Sequence, residues 1–299
     1  MVTVVLGAAG QLGRDLCPLL PGTILTPPRA ELELSQQSQV EHYLQAHKPS
    51  LVINCAAYNL VDQAEKDPEA AWATNSLGVR HLAMASQSCS ATLVHFSTDY
   101  VFGMDRNRRH AYGERDCPGP VSLYGLSKLA GEHLVQIYCQ RHYIIRTCGL
   151  YGHWGSGGKG GNFIETMLRL ASQGRTLRVV NDQICTPSST QDVAKATVAL
   201  LQTGAFGLYH ITNGGSCTWY DFACEIFRLN RLQPDLSPIT SQEFGAPARR
   251  PSFSVLGHEA LLAAGIASPR PWQEALAAYL VERQRKTNAA AQVGVAATP

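Results

Sequence analysis

Short apolar runs alternate with longer mixed stretches through the first half of the chain. The runs are rich in β-branched residues and have the length of strands buried on both faces, whereas the stretches between them carry apolar residues at helical spacing. The pattern predicts strands at residues 2–6, 23–25, 50–58, 92–98 and 143–147, with helices at 35–46, from 67 and from 124. Because strands and helices alternate, the predicted fold class is α/β with a doubly wound parallel sheet.

The sequence changes in character after residue 152. Residues 153–161 are glycine-rich, and the elements predicted beyond them are shorter: helices at 162–173 and 192–201, and strands at 177–180 and 207–211. We therefore expect a larger domain over residues 1–150, with strand and helix returns near 176–212, and a smaller domain over 151–286. The small-residue segment 287–299 is predicted to be disordered.

Three glycines, Gly7, Gly10 and Gly13, follow the first predicted strand directly. Glycines at this place make a tight turn, let a diphosphate approach the backbone and let the next helix pack closely on the strand. The first gap is wider than in the usual dinucleotide fingerprint, so the glycines alone are a weak signal. Their position after the first strand predicts that domain 1–150 binds a dinucleotide.

A tyrosine and a lysine, Tyr124 and Lys128, lie four residues apart on a predicted helix. Such side chains share one helix face, and an ammonium near a phenol favours the phenolate, so the pair is suited to proton transfer. The preceding strand ends in Ser97, Thr98 and Asp99. Ordinary amphipathic helices also carry this pair. What favours a functional site is that the strand end and the glycine turn both fall at the carboxyl edge of the sheet, where ligands bind.

Composition and charge narrow the class of partner. The 299-residue chain is 45% hydrophobic and 16% charged, with a net charge of +2, which gives no basic surface for nucleic acid. No apolar run approaches the roughly 20 residues that cross a bilayer. The nine cysteines lack zinc or redox spacing. We expect a cytoplasmic protein with a small-molecule partner, no nucleic acid, no membrane and no metal, and we consider a homodimer as its assembly.

The chain resembles the extended short-chain dehydrogenase/reductase superfamily and, within it, the dTDP-4-dehydrorhamnose reductase family. The resemblance extends from Gly7 to about residue 280 and implies a Rossmann-like domain with a smaller C-terminal substrate domain. The stretches that carry it are 54–58, 61–65, 97–102, 112–116, 124–132, 145–147, 162–163, 182–183, 209–210 and 249–251.

This resemblance implies reduction of the C4 ketone of dTDP-4-dehydro-L-rhamnose to dTDP-L-rhamnose. By it, Tyr124 would donate a proton to the ketone oxygen, and Thr98 would hydrogen-bond the developing alkoxide. Lys128 would hold the nicotinamide ribose and lower the pKa of the tyrosine. The reduced nicotinamide would provide the hydride.

The resemblance also implies two sets of contacts. The cofactor would be bound by Gly7, Gly10, Gln11, Leu12, Gly13, Arg29, Glu33, Leu34, Ala56, Ala57, Tyr58, Tyr124 and Lys128. The substrate would be bound by Thr98, Asp99, Tyr124, Asn162 and Arg249. Because the second strand ends without an acidic residue for a ribose 2′-hydroxyl, and Arg29 is near for a 2′-phosphate, we expect NADPH as cofactor, with NADH tolerated.

Two positions depart from the family pattern. The family usually carries tryptophan near the substrate where this chain has Gly149, and aspartate where it has Glu33. The first departure leaves the sugar open: either the substrate differs, or Trp154 or Tyr151 fills the gap. The alternatives are therefore a reductase or epimerase of another nucleotide-4-keto-6-deoxy sugar, or a non-catalytic NADP-binding subunit like the regulatory subunit of methionine adenosyltransferase.

Overall fold

The computed structural model describes residues 1–154 and 161–296, with side chains as far as residue 288. The strands of this described chain are β1 (Val2–Leu6), β2 (Thr23–Leu25), β3 (Leu51–Asn54), β4 (Thr92–Thr98), β5 (His142–Thr147), β6 (Leu150–Tyr151), β7 (Leu177–Val180), β8 (Ile184–Cys185), β9 (Ser188–Ser189), β10 (Gly207–His210), β11 (Cys217–Thr218) and β12 (Leu236–Ile239).

Six of these strands form one parallel sheet in the order β10-β5-β4-β3-β1-β2. The chain leaves β1 toward one edge to form β2, then returns to the other side of β1 to form β3. This reversal is the topological switch point at which doubly wound sheets bind their ligands. The predicted fold class is confirmed.

The described helices are α1 (Gln11–Leu16), α2 (Gln37–His47), α3 (Val61–Ala64), α4 (Pro68–Trp72), α5 (Gly78–Ser88), α6 (Leu123–Tyr138), α7 (Phe163–Ser172), α8 (Thr190–Thr203), α9 (Trp219–Leu229), α10 (Ser241–Phe244), α11 (Glu259–Ala263) and α12 (Trp272–Ala296). A π-helical turn, Ala73–Leu77, joins α4 to α5. No helix in the described part of the chain is long and apolar enough to cross a membrane.

Both faces of the sheet are covered by helices. Consecutive residues of a strand point to opposite faces, so each strand contributes side chains to both buried layers. One face packs against α2, α5 and α6, and the other against α1 and α8. In each central strand, adjacent apolar residues divide between the two clusters: Val4 and Val5, Val52 and Ile53, Leu93 and Val94, Ile144 and Ile145.

A smaller part of the chain packs around a separate core, in which Phe222, Ile226 and Trp272 lie among the buried residues. Its short strands pair as β7 with β12, β8 with β11, and β6 with β9. The strand at 177–180 was expected to return to the main sheet, but Leu177 and Val179 pack into this second core instead. Within residues 176–212, the elements that return to the main sheet are therefore α8 and β10.

The end of the chain overlaps the segment predicted to be disordered. Helix α12 continues to Ala296, past the start of segment 287–299, whose disorder stays a prediction. A run of alanines follows Asn288, and alanine has the most favourable helix propensity, which lets the last helix continue. Most of the glycine-rich segment, 155–160, and the final residues 297–299 lie outside the described residues.

Candidate active site

A large cleft, lined by described residues, lies along the carboxyl ends of the main strands, with a volume of about 1120 Å³. This exceeds the roughly 300–1,000 Å³ of a cleft for one small ligand, so there is room for a dinucleotide together with a second molecule. Fifteen of the seventeen predicted site residues line it: Gly7, Gly10, Gln11, Leu12, Gly13, Arg29, Glu33, Leu34, Ala56, Ala57, Thr98, Asp99, Tyr124, Lys128 and Asn162.

The glycine turn after β1 forms one end of the cleft. Gly7 has a φ of +72°, and a β carbon there would lie 2.7 Å from the backbone of Ala56. A β carbon at Gly13 would lie 2.6 Å from both the Ala8 Cα and the Gly7 carbonyl oxygen. Any side chain at either position would collide with backbone. Glycine at both positions therefore lets the turn pack tightly on the neighbouring backbone, and the turn lies in the cleft wall at the start of α1, where a dinucleotide phosphate fits.

Helix α6 positions Tyr124 through two close approaches on its buried face. A β carbon at Gly125 would lie 2.2 Å from the Tyr100 carbonyl oxygen, and one at Gly131 would lie 2.3 Å from the Asn75 carbonyl oxygen. Only glycine allows the helix to pack this closely on the turn that follows β4 and on the π-helical turn that contains Asn75. The Ser122 hydroxyl caps the helix by accepting from the Gly125 amide at 3.1 Å.

Tyr124 is held as a protonated phenol. Burial raises its pKa to about 12, while a hydrogen bond with Thr98 works in the opposite direction. The ring of Tyr100 packs edge-on against it at 5.8 Å. Burial has a larger effect on this pKa than the hydrogen bond, and the expected lowering of the Tyr124 pKa by Lys128 stays a prediction. A phenol that keeps its proton at neutral pH is suited to donate one to a reduced oxygen.

Lys128 lies one helical turn beyond Tyr124, and its Nζ donates to the Phe96 carbonyl at 2.6 Å. Burial lowers the pKa of Lys128 to about 8, and the carboxylate of Glu132 acts to raise it. Glu132 is itself buried and accepts from Arg146 through Nε at 2.9 Å and Nη2 at 2.7 Å. The Ser97 hydroxyl also donates to Glu132, at 2.5 Å. The buried ion pair between Glu132 and Arg146, with its hydrogen bond from Ser97, thus lies behind the candidate active site.

Asp99 is buried, and its oxygens face the protein. Ser254 Oγ donates to it at 2.6 Å, Cys148 Sγ at 3.1 Å and Thr98 Oγ1 at 3.1 Å. Burial raises the pKa of this carboxyl, and the hydrogen bonds oppose the rise. Both carboxylate oxygens of Asp99, a predicted substrate contact, therefore already accept hydrogen bonds from the protein. These bonds also fix the position of Thr98.

Asn162 lines the cleft but is committed to local structure. Its Oδ1 caps α7 by accepting from the Glu165 amide at 3.0 Å, and its Nδ2 donates to Gly152 O at 2.9 Å and Tyr279 Oη at 3.2 Å. Gln11 joins the same group by accepting from the Gly152 amide at 2.9 Å. Both side chains tie the glycine turn to the smaller part of the chain.

Arg29 and Glu33 form an ion pair at the far end of the cleft. Partial burial opposes ionisation of Glu33, but hydrogen bonds from Arg29 and the Ser35 amide hold its pKa below the ordinary value. The side chain of Arg29 is 83% exposed, so the guanidinium remains accessible to a ligand phosphate.

Two predicted residues lie outside the cleft. The backbone of Tyr58 is held by the Asn75 side chain, which donates to its carbonyl and accepts from its amide, both at 2.9 Å. Arg249 is exposed. Its neighbour Arg250 is half-buried and pairs with Asp62 at 2.8 Å. Neither residue lines the cleft, so the contact of Tyr58 with the cofactor and that of Arg249 with the substrate stay predictions.

The reasoning from sequence missed several residues that shape the site: Glu132, Arg146, Ser254, Cys148 and Trp219. Their contacts join segments far apart in the chain, so local pattern gave no signal beyond the presence of Glu132 one turn after Lys128. Of the two residues considered as fillers beside Gly149, Tyr151 is buried among aromatic rings, and Trp154 stacks against Arg14 outside the cleft. Among the described residues, no cluster of three or more His, Cys, Asp or Glu is placed to hold a metal ion.

Comparison with known proteins decides the family. The model described as "RmlD substrate binding domain" matches residues 1–285. The chain belongs to this family. Among curated proteins, a dTDP-4-dehydrorhamnose reductase of Streptomyces griseus is 40% identical over 283 residues, covering 91% of each chain. A dTDP-4-keto-6-deoxy-D-glucose reductase of Streptomyces niveus is 39% identical over 278 residues, covering 91% of this chain and 94% of its own.

A solved structure extends the comparison to three dimensions. The dTDP-4-dehydrorhamnose reductase of Bacillus anthracis, in complex with NADP, has a TM-score of 0.89 and 38% identity, covering 94% of this chain and 99% of its own. The predicted family is thereby confirmed, as is the prediction of an oxidoreductase, and NADP is confirmed as a cofactor found within the family.

Proposed function

We propose that this chain is an NADPH-dependent reductase that converts the C4 ketone of dTDP-4-dehydro-L-rhamnose to dTDP-L-rhamnose. The observation that carries the proposal is the placement of Tyr124, Thr98 and Lys128 in the wall of one cleft that also contains the glycine turn. The reductases named above, and the NADP in one solved relative, support the substrate class and the cofactor.

The cofactor would lie along the switch point of the sheet. The glycine turn, which lines the cleft at the start of α1, would hold the diphosphate, and Arg29 is accessible for the 2′-phosphate. Lys128, held by its bond to Phe96, would meet the ribose. When bound, the reduced nicotinamide supplies a hydride to the carbonyl carbon.

The protein residues supply the proton and the alignment. Tyr124 donates its phenolic proton to the carbonyl oxygen, so that the hydride on carbon and the proton on oxygen together give the alcohol. Thr98 donates its one hydroxyl proton to Asp99 in this structure and would turn that proton to the substrate oxygen, where negative charge develops. Lys128 keeps a positive charge behind the phenol while the proton leaves.

The alternative is a reductase of a different nucleotide-4-keto-6-deoxy sugar. It is favoured by one finding, that relatives named for two different sugars are nearly equally identical to this chain. Sequence identity alone therefore does not choose between the sugars.

The test follows NADPH oxidation at 340 nm with each ketose supplied separately. We expect turnover with dTDP-4-dehydro-L-rhamnose and slower turnover with dTDP-4-dehydro-6-deoxy-D-glucose. If the enzyme prefers dTDP-4-dehydro-6-deoxy-D-glucose, the proposed substrate is wrong, but the proposed reaction, reduction of a C4 ketone, still holds. Tight NADPH binding without turnover of either ketose would favour a non-catalytic subunit and refute the proposal.

A further inference from the structure

The space beside Gly149 is filled by the tip of an indole. Gly149 has a φ of +52°, and a β carbon there would lie 3.3 Å from Cη2 of Trp219 and 3.2 Å from the Cα of Pro187. A larger side chain at position 149 would therefore compete with Trp219 for the same volume. Gly149 and Trp219 both line the cleft.

Trp219 is anchored firmly although part of its surface is uncovered. It is the first residue of α9, whose start is fixed by a reciprocal capping box between Thr218 and Asp221. Its ring packs against Phe163 at 4.9 Å and Phe222 at 6.2 Å. A large aromatic ring held by two others presents a rigid apolar wall to the cleft.

The order of the strands places this wall away from the cofactor. The glycine turn follows β1 and Ala56 follows β3, whereas Gly149 follows β5, on the other side of β4. Thr98 at the end of β4 pairs in register with Thr147, two residues before Gly149. The indole tip therefore lies near the reacting end of the cleft, on the side opposite the glycine turn.

We propose that Trp219 determines specificity by packing on the hexose ring of the nucleotide sugar. This inference rests on the proposed function. A 6-deoxy sugar offers an apolar C–H and methyl face, which gains from contact with an indole, whereas a hydroxyl placed there would lose its hydrogen bond to water. The proposal places the nucleotide elsewhere in the cleft, out of contact with this ring.

The experiment measures binding of two probes, dTDP and dTDP-L-rhamnose, by calorimetry on the NADP-loaded full chain. Trp219→Phe keeps an aromatic ring against Phe163 but removes the edge that reaches Gly149. We expect it to weaken dTDP-L-rhamnose about 5- to 10-fold, while dTDP and NADPH affinities stay within about twofold. The KM for the ketose should rise by a similar factor, with kcat changed less.

Trp154→Phe is the matched control, because Trp154 lies outside the cleft, and all of its constants should equal those of the wild type. Equal loss of dTDP and dTDP-L-rhamnose affinity in Trp219→Phe would place the indole on the nucleotide and overturn the inference, as would no loss at all. Weaker NADPH binding would overturn it too. If wild-type protein binds neither probe, the proposed function itself fails, and the inference fails with it.

Discussion

Replacing Glu132 by glutamine removes the negative half of the buried ion pair behind the candidate active site. Both side chains of the Glu132–Arg146 pair are at most 3% exposed, and Arg146 would be left with its charge buried and uncompensated. Breaking one partner of such a pair costs about 3–5 kcal/mol. For a chain of this size we expect the melting temperature to fall by about 6–10 °C.

The same substitution has a second consequence, at Lys128. Glu132 acts to raise the pKa of Lys128, which burial has already lowered to about 8. Without the carboxylate the ammonium loses its proton at lower pH, so the alkaline fall in activity should move to lower pH. Stability is measured by urea unfolding followed by tryptophan fluorescence, and activity by a pH–rate profile of kcat.

The control is Glu225→Gln, which breaks an ion pair with Arg228, whose side chain is 67% exposed. Exposed pairs contribute about 0–1 kcal/mol, so this variant should unfold almost as the wild type does. If the free energy of unfolding of Glu132→Gln also stayed within about 1 kcal/mol of that of the wild type, the argument that Arg146 is left with a buried and uncompensated charge would be refuted.

Three further predictions concern single side chains. Thr98→Val should lower kcat about 10²-fold with unchanged NADPH affinity, because it removes a hydroxyl from the developing oxyanion, and single-turnover kinetics measures it. Arg29→Ala should raise the KM for NADPH about 10-fold and leave that for NADH unchanged, as steady-state kinetics would show. Burial lowers the pKa of His210 from 6.5 to about 3. As the pH falls below 6.5, the unfolded chain therefore binds a proton at this residue that the folded chain does not, and the free energy of unfolding decreases. His210→Asn should reduce this decrease, as unfolding measured from pH 7 to 4 would show.

The sheet was predictable because burial on both faces leaves a local signature. Pairs such as Val4 with Val5 and Ile144 with Ile145 are apolar at consecutive positions, which identifies a central strand without knowledge of its neighbours. The partner of a strand carries no such signature. Leu177–Val180 was therefore recognised as a strand, yet its pairing with Leu236–Ile239 was not foreseen.

In the candidate site, too, some features were predictable from the sequence and others were not. Tyr124, Lys128 and Thr98 were predicted to lie together because each follows from helical spacing or from the end of a strand. The partners that fix them, such as Arg146 on Glu132 and Ser254 on Asp99, join residues that are distant in the chain. The raised pKa of Tyr124 also depends on tertiary burial, which spacing does not reveal.

The choice between Arg249 and Arg250 shows a limit of motif reasoning. The two arginines are adjacent, and a motif does not say which of them faces inward. The structure pairs Arg250 with Asp62, a contact across 188 positions of the chain that only the folded state defines.

The most direct test of the proposed mechanism replaces Tyr124 with phenylalanine and measures hydride transfer in a single turnover at saturating NADPH and ketose. Phenylalanine keeps the ring that packs against Tyr100 and removes only the proton donor. The mechanism predicts unchanged NADPH affinity and a transfer rate lowered at least about 10²-fold. A Tyr124→Phe enzyme that reduces the ketone at the wild-type rate would contradict it.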